Sequence, residues 1–383
     1  MDLDLREHHL ALKRMVRDFA EREIAPQVLE LNEKGEFPYQ IIKAMGEMGL
    51  LGLPFPGEYG GGGADTLSYV IVIEEITRVD SSIGITMQAD ISLGGYPLGH
   101  FGTEEQKQRW LVPLAQGKIL GSFGLTEPGA GSDAGATATT AVPQGGHWVI
   151  NGTKCFITNA GTNISGFVTI TAVTGRREDG RKEIGNFIIP KGTPGYTISP
   201  PYKKMGWRAS DTRELSFVDC RVGEENLLGK RGAGFRQFLQ TLDEGRLGVA
   251  AMGVGLAQGC LEMSLSYARQ RVQFGQPISH FQAIQFKLVD MAVNVELARL
   301  ICYKTAALKD AGRPYSEESA MAKLFSSEMA MKAAIDGVQI HGSYGLTDEA
   351  PISRFFRDAK FLTIGEGTSE VLRLVIARHL LRE

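Results

Sequence analysis

The chain lacks the sequence signatures of several common protein classes. It has only four cysteines, and these lie far apart: Cys155, Cys220, Cys260 and Cys302. Without a CxxC pair they indicate neither a zinc site nor a disulfide framework, and a reducing compartment fits best. The net charge of −3, from 41 basic and 44 acidic residues, argues against a nucleic-acid partner. We expect no bound metal.

Long hydrophobic runs are also missing. No uninterrupted apolar run of about 18 residues occurs, so the sequence predicts no membrane span. The N-terminus alternates charged and apolar residues, which is untypical of a signal peptide, and it is too acidic for a transit peptide. We therefore expect a soluble, cytoplasmic protein, or a mitochondrial-matrix protein if a transit segment was removed before this numbering begins.

The length of 383 residues and the order of patterns predict three domains, namely helices, strands and helices again. Helical periodicity covers residues 5–24 up to Pro26, then 38–50, 66–78 and 103–112, where Pro113 interrupts the pattern. Thr103 and Gln106 form a capping-box pair. Long amphipathic patterns return over 234–269, 281–311 and 316–340. We expect a helical domain at 1–120, a β-domain at 121–228 and a C-terminal helical bundle at 229–383.

The middle segment carries the strand signals. Residues 147–152 (HWVING) read as a strand that leads into a hairpin turn at Asn151-Gly152, and 154–159, 167–173 and 215–222 read as further strands. No GxGxxG follows a strand, which argues against a parallel dinucleotide-binding fold. The class predicted is mainly α with a β-domain.

Four segments have residues suited to chemistry, and each also has a plain structural reading. Residues 126–133 (TEPGAGSD) expose backbone N–H groups to a ligand or form an ordinary turn. Residues 154–159 (KCFITN) offer an aromatic ring and a hydroxyl on one face of a strand that is otherwise structural. Residues 269–282 (RQRVQFGQPISHFQ) either bind a phosphate or connect two helices.

The fourth segment, 364–370 (IGEGTSE), precedes an apolar helical pattern that Thr368 or Ser369 can cap. Glu366 lies between two glycines at this helix entrance. A lone Glu is normally a solvated surface residue. Its setting between glycines favours an exposed base directed at a ligand.

Taken in order, these segments resemble the acyl-CoA dehydrogenase family, and residues 336–345 (DGVQIHGSYG) and 373–378 (RLVIAR) add to the resemblance. It covers nearly the whole chain. The fold it implies is an N-terminal helical domain, a middle β-barrel-like domain and a C-terminal four-helix bundle. FAD is expected between domains at a subunit interface. The resemblance implies a homotetramer in preference to a dimer.

The resemblance also implies roles for single residues. Those expected to line the flavin and the nearby substrate are Phe123, Leu125, Thr126, Gly131 and Ser132. Those expected against the isoalloxazine ring are Phe156 and Thr158. Those expected to hold the FAD of the neighbouring subunit are Arg271, Phe274, Gln282, Gln339 and Ser343. Thr368 and Glu370 belong to the same cofactor site. The substrate-binding residues are expected to be Ser132, Asp243, Arg246, Gly365 and Gly367.

The implied reaction removes the α-proton of an acyl-CoA thioester with Glu366 as the base, transfers the β-hydride to flavin and gives a trans-2-enoyl-CoA. Electrons are expected to pass to an electron-transfer flavoprotein. Some relatives carry the base at the position of Gly245, which cannot serve, and the adjacent Glu244 is turned about 100° away on a helix. A glutaryl-type decarboxylating reaction is disfavoured, because Gly84 stands where such members need a cation.

The chain departs from the family pattern at three places. Phe156 replaces a Trp, Glu370 replaces a Gln, and Gly365 replaces an aromatic residue beside the base. The missing ring predicts a wider pocket that accepts branched acyl groups. The alternatives are an oxidase-like enzyme that reduces oxygen, a monooxygenase of the same fold, which would not need a base at Glu366, and a non-catalytic helical acyl-CoA-binding protein.

Overall fold

A computed structural model describes residues 5–381 as helices, then a sheet, then helices. The helices are α1 (Glu7–Phe19), α2 (Val28–Lys34), α3 (Tyr39–Glu47), α4 (Thr66–Thr77), α5 (Ser81–Gln88), α6 (Tyr96–Phe101), α7 (Glu104–Gln106), α8 (Val112–Ala115), α9 (Gly234–Gln270), α10 (Gln282–Asp310), α11 (Ser316–His341), α12 (Pro351–Leu362) and α13 (Ser369–Leu380). The mainly α class with a β-domain is confirmed.

The strands lie in the middle of the chain. They are β1 (Leu120–Gly124), β2 (Thr140–Gln144), β3 (His147–Thr158), β4 (Ser165–Arg176), β5 (Lys182–Pro190), β6 (Tyr196–Ile198), β7 (Thr212–Gly223) and β8 (Leu227–Leu228). The sheet order is β6-β7-β3-β2-β4-β5-β8, and β1 pairs in parallel with β4. A short hairpin, β9 (Val272–Gln273) and β10 (Gln276–Pro277), joins α9 to α10.

The predicted hairpin turn at Asn151-Gly152 is wrong. β3 continues through both residues to Thr158, so 154–159 is not a separate strand. The turn lies between β2 and β3 at Gly145 and Gly146, whose φ angles of +57° and +76° suit glycine in a tight hairpin turn. At Gly152 the pairing of β3 with β7 shifts register, so the Asn-Gly pair forms a bulge.

The sequence predicted that Pro113 interrupts the helix, but the helical path continues through this residue to Ala115. A π-helical turn at Lys107–Leu111 runs directly into α8, which carries Pro113 in its first turn and ends at Ala115. Because the path is continuous, Pro113 removes one helical N–H, and the π-helical turn before it is an irregularity of the kind found where the hydrogen-bond ladder of a helix is interrupted. The capping box of Thr103 and Gln106 at the start of α7 is confirmed.

The long helix α9 forms the centre of the helical region and packs against α4, α10 and α11. Glycines let α4 approach closely, since a Cβ at Gly255 would lie 2.2 Å from the carbonyl oxygen of Glu74. Among residues 5–381, α9 alone is long and apolar enough to cross a membrane, by length and composition. Of its most apolar window 83% is buried within the fold, as in the core helix of many soluble proteins.

Candidate active site

Glu366 lies in the short loop between α12 and α13, in a backbone conformation that is rare for its residue type. Its φ is +53°, in the left-handed region that non-glycine residues seldom adopt. The next residue, Gly367, has φ +101°, and the Thr368 hydroxyl caps α13 by accepting the Val371 N–H. Such strain persists only when the surrounding structure holds it, and it is typical of functional sites. The predicted cap at Thr368 is confirmed.

The Glu366 side chain points into the protein and not, as the sequence suggested, out of it. Its Oε1 accepts a hydrogen bond of 2.9 Å from Nε2 of Gln88, while its buried Oε2 has no partner in residues 5–381. A Cβ on Gly245 would lie 1.7 Å from Oε2, so the carboxylate occupies the space left by that glycine. The loop reverses the chain so that the side chain of Glu366 packs onto α9.

Burial sets the proton affinity of this carboxylate. It raises the pKa of Glu366 to about 7, although the Gln88 hydrogen bond and the positive charges of Lys323 and Arg246 act in the opposite direction. Lys323 is itself fully buried, and its Nζ donates to the carbonyl oxygen of Gly367 at 2.6 Å. A carboxyl group with a pKa near neutrality, one oxygen unpartnered, is suited to act as a general base.

The rival carboxylate, Glu244, is bound elsewhere. Its oxygens accept hydrogen bonds from Nζ of Lys309 at 2.6 Å and from the hydroxyl of Tyr315 at 3.3 Å. It is therefore held in an ion pair on the side of α9 that faces α10 and the start of α11. This arrangement leaves Glu366 as the carboxylate with an unpartnered oxygen at the Gly245 position.

Asp243 and Arg246 lie one turn apart on α9, beside the Glu366 loop. Arg246 donates to Asp243 at 2.8 Å, and its buried Nε has no acceptor in the described part of the chain. A Cβ on Gly367 would lie 4.0 Å from a terminal nitrogen of Arg246. The predicted substrate residues 243, 246, 365 and 367 are thus brought together around Glu366, and an unpaired guanidinium nitrogen suits an anionic or carbonyl ligand.

A second group of predicted residues meets where β1 runs into the TEPGAGSD loop. The Thr126 carbonyl accepts the Cys155 N–H at 2.9 Å, which sets the loop against β3 immediately beside Phe156. Below it, the buried Lys154 pairs with Glu127 at 2.7 Å and bonds Leu125 O at 3.2 Å. Burial raises the pKa of Glu127, but the Lys154 charge and hydrogen bonds outweigh it and lower that pKa to about 2.

Phe156 provides a flat surface at this place. Its side chain is 64% exposed, its φ is +61°, and its ring stacks on Tyr202 with centroids 5.0 Å apart. The nearby Gly129 and Gly131 have open space where a Cβ would lie. An exposed aromatic ring next to an open glycine loop fits a planar cofactor such as a flavin. Phe123 is buried on β1, Ser132 is exposed in the loop, and Thr158 is half-buried at the end of β3.

The third predicted group lies at the far end of α9 and α11. Phe274, at the tip of the β9–β10 hairpin, is 94% exposed with φ +53°. Tyr267 stacks on His341 with centroids 4.4 Å apart, which joins this end of α9 to the end of α11. The other members are exposed on the same side: Arg271, Gln282, Gln339 and Ser343. Their outward orientation suits contact with another molecule rather than with this chain's own base.

Models of three domains of one family match most of the chain. The acyl-CoA dehydrogenase N-terminal domain matches residues 6–118, the middle domain 122–220 and the C-terminal domain 232–381. The chain belongs to the acyl-CoA dehydrogenase family. Its relatives include a probable acyl-CoA dehydrogenase of Bacillus subtilis, 54% identical over the full length of both chains, and a short-chain specific acyl-CoA dehydrogenase of Clostridium acetobutylicum, 45% identical over both.

Solved structures agree with this acyl-CoA dehydrogenase in fold. Butyryl-CoA dehydrogenase from Megasphaera elsdenii has a TM-score of 0.96 at 42% identity, with both chains fully covered. A chain from a study of the electron transferring flavoprotein of Acidaminococcus fermentans has a TM-score of 0.96 at 46% identity, again with full coverage. An acyl-CoA dehydrogenase of Bacillus anthracis complexed with FAD has a TM-score of 0.93 at 36% identity and covers 99% of this chain and 68% of its own.

This acyl-CoA dehydrogenase is therefore an FAD-dependent oxidoreductase, and the non-catalytic alternative is excluded. The exposed ring of Phe156 beside the open loop at Gly129 and Gly131 fits the flavin, and the expected flavin residues Thr126 and Phe156 lie side by side. When bound, FAD supplies the acceptor for the hydride that leaves the substrate.

The sequence did not point to three residues of the acyl-CoA dehydrogenase site. Gln88 on α5, Lys323 on α11 and Tyr69 on α4 surround the Glu366 carboxylate although all lie on apolar helical segments far from it in the sequence. Each is a fully buried polar residue. The signal that could have found them is a polar side chain within a helical pattern on a face that packs against other helices, because burying such a group is costly unless it has a partner.

Packing explains the surroundings of Gly84 and of His9. A Cβ on Gly84 would lie 2.3 Å from Oγ1 of Thr77, so this position is closed to a long cationic side chain as packed. The ring of His9 is buried and bonds Asp65 at 2.9 Å. His8 completes a group in which each of the three residues offers a ligand atom within 4.8 Å of the others. Because Asp65 also caps α4 by accepting from Ser68, this contact has a structural explanation.

Proposed function

We propose that this enzyme dehydrogenates short-chain acyl-CoA thioesters to trans-2-enoyl-CoA with Glu366 as the catalytic base. The observation that carries the proposal is the buried Glu366 carboxylate, with a pKa raised by burial to about 7 and an unpartnered Oε2. Support for a short chain comes from the Clostridium and Megasphaera relatives, whose names specify short-chain and butyryl substrates.

The proposed roles follow from the geometry. Oε2 of Glu366 takes the α-proton, and FAD, when bound, would supply the acceptor for the hydride that leaves the β-carbon. The backbone N–H of Glu366 donates to no acceptor in the described residues, so it is free to bond the thioester oxygen and stabilise its developing negative charge. Arg246 and Asp243 are proposed to bind the substrate, which their position beside the loop supports. The cofactor residues retain the roles that the resemblance implies, including Thr368 and Glu370.

Further parts of the proposal concern partners and organisation. Support for an electron-transfer flavoprotein as the acceptor comes from the Acidaminococcus neighbour, which belongs to a study of such a protein. We also propose a cytoplasmic location and domain limits at 120/121 and 228/229.

A panel of acyl-CoA substrates tests the proposed function. FAD-loaded enzyme is mixed anaerobically with butyryl-, isovaleryl- and octanoyl-CoA, and the loss of the flavin's blue absorption is followed. We expect butyryl-CoA to reduce the flavin at least tenfold faster than octanoyl-CoA, since each methylene is worth about 10- to 200-fold in a fitted pocket. Isovaleryl-CoA is expected to react as well, because Gly365 places no side chain beside the proposed base; a Cβ there would meet only the carbonyl oxygen of Phe361, at 3.5 Å.

Other outcomes of the panel are equally informative. Octanoyl-CoA as the best substrate would contradict the short-chain assignment. A steep loss on every branched substrate would contradict the role of Gly365. Rapid peroxide formation in air, without an added electron acceptor, would favour the oxidase-like alternative.

The proposed oligomer is a homotetramer, and α10 supplies the supporting observation. Apolar side chains recur at helical spacing along one face of α10, and all are at least 40% exposed: Phe286, Val289, Val293, Leu297 and Leu300. A stripe of this length on a soluble protein is typical of an interface. The exposed cofactor residues at the end of the same helix bundle would then reach the FAD of a neighbour.

Val293→Glu is expected to split the oligomer, because a carboxylate at the middle of a buried apolar contact costs several kcal/mol. Size-exclusion chromatography with light scattering gives the assembly mass, and flavin absorption of the same fractions gives the FAD content. We expect smaller assemblies that retain less FAD. Val142→Glu, on an exposed position of β2, is the control and is expected to keep the wild-type mass. An unchanged mass for Val293→Glu would contradict this interface.

A further inference from the structure

Gln88 makes a contact with the proposed base that packing alone does not require. Its Nε2 lies 2.9 Å from Oε1 of Glu366, 3.0 Å from the carbonyl oxygen of Gly245 and 2.8 Å from Oγ of Ser92. The side chain is fully buried at the last turn of α5. It is the residue in the described structure that donates a hydrogen bond to the Glu366 carboxylate.

The amide of Gln88 is fixed before it reaches Glu366. Ser92 donates to the backbone carbonyl of Gln88 at 2.8 Å, so its oxygen is oriented to accept from Nε2. Gly245 belongs to α9, so its carbonyl lies on a rigid element. An amide NH₂ has two hydrogens for these three acceptors, and the acceptor that carries negative charge makes the strongest bond. The two neutral acceptors therefore hold the amide in place, and the ionised Glu366 draws one hydrogen.

Two glycines on α9 make room for this arrangement. A Cβ on Gly245 would lie 1.7 Å from Glu366 Oε2, and a Cβ on Gly248 would lie 2.7 Å from Cγ of Gln88. Both side chains therefore enter spaces on one face of α9, separated by one helical turn. The absence of side chains at these two positions lets Gln88 and Glu366 meet over the helix.

The geometry points to Gln88 as a positioning residue that holds the Glu366 carboxylate ionised and directed over Gly245, with Oε2 left free for the substrate proton. The inference rests on the proposed role of Glu366 as the base. A donor N–H bonds a carboxylate more strongly than a carboxylic acid, so the contact favours the form that can accept a proton. It offsets part of the desolvation that burial imposes on that form.

Several other charged or titratable groups face Glu366 from the elements around it. They are Lys323 on α11, Arg246 and Glu244 on α9, and Tyr69 on α4. Lys323 and Arg246 favour the ionised form, while Glu244 opposes it. A substitution of Gln88 leaves all of them in place, so its effect on proton affinity reports the amide contact.

The test is the pH dependence of flavin bleaching by butyryl-CoA in the FAD-loaded enzyme, for the wild type and Gln88→Met. Met keeps the length and volume but donates no hydrogen bond. We expect the acid limb of the bleaching rate to move up by about one pH unit, since removing a donor that favours the ionised carboxylate raises the pKa of the base. The rate falls about tenfold on the acid side of neutrality and recovers to within about threefold at alkaline pH.

Further variants separate positioning from packing. Gln88→Glu replaces the donor with a second carboxyl and is expected to move the limb further up than Gln88→Met. Thr86→Val, an isosteric change on the other side of α5, is expected to leave the limb unmoved. A uniform loss of rate in Gln88→Met with an unmoved limb would overturn the inference. Failure of the base assignment is recognised separately, because Glu366→Gln would then bleach normally.

Discussion

Glu366→Gln is expected to slow the bleaching of bound flavin by acyl-CoA by about 10³-fold, within the range that a general base contributes. The amide matches the carboxylate in shape but cannot take the α-proton. The variant should remain yellow and bind acyl-CoA, because the amide fills the same space over Gly245 and can still accept from Gln88. Stopped-flow absorbance gives the rate, and titration with a substrate analogue gives the affinity.

A matched control and a stability measurement sharpen this test. Glu47→Gln, which removes an exposed carboxylate on α3, is expected to leave bleaching unchanged. The folded-state pKa of Glu366 lies above its usual value because of burial, so the stability it contributes is present at low pH and lost as pH rises through about 7. Glu366→Gln should therefore unfold at a higher denaturant concentration than the wild type above neutrality. Near-normal bleaching in this variant would contradict the base assignment.

Lys154→Met is expected to reduce the free energy of unfolding by about 3–5 kcal/mol, because it leaves the Glu127 carboxylate buried without its cation. Both partners are at least 94% buried, since Lys154 is 0% and Glu127 6% exposed. The pair supports the loop that carries Thr126, so the variant should also release FAD more readily. Urea unfolding and flavin retention on dilution measure the two effects.

The pH dependence of this variant has a definite sign. The Lys154 charge and hydrogen bonds outweigh burial and hold the pKa of Glu127 at about 2. The stability that Glu127 contributes is therefore fully present above the pKa of Glu in the unfolded chain, and it is lost as the pH falls toward about 2. Without Lys154 the loss should begin at higher pH. Glu127→Gln combined with Lys154→Met should cost less than Lys154→Met alone, since no buried charge remains.

The exposed pair of Arg231 and Glu183 is the control for the buried one. Arg231→Met is expected to cost less than about 1 kcal/mol, as is typical of surface ion pairs. An equal loss of unfolding free energy in Arg231→Met and Lys154→Met would show that burial does not strengthen the effect of removing the cation. The comparison thus tests burial rather than charge.

Local structure was predictable from the sequence where one interaction between near neighbours determines it. The cap at Thr368 and the capping box at Thr103 follow from side chains that satisfy free N–H groups within three residues. The hairpin at Asn151-Gly152 was wrong because a bulge in a long strand uses the same residues as a turn. The local sequence does not distinguish a turn from a bulge at these residues. The pairing of β3 with β7 shows that they form a bulge.

The chemistry of the site was predictable only in part. Glu366 was predicted as the base from its two flanking glycines and from the family resemblance, and the structure adds that its carboxylate is buried. Gln88 and Lys323 were missed because their contacts with the loop join residues far apart in sequence. Whether a polar side chain is buried, and which group it then contacts, depends on tertiary packing. The hydrophobic periodicity of the sequence does not reveal that packing.

The overlap of Gly245 with the Glu366 carboxylate has an evolutionary consequence. Since a Cβ at 245 would lie 1.7 Å from Oε2, a side chain at 245 and a carboxylate at 366 compete for one volume. A lineage that moves its base from one segment to the other must change both positions, and neither single change gives a working intermediate by itself. Residues 245 and 366 should therefore show strong epistasis, with a double change far less harmful than the sum of its parts.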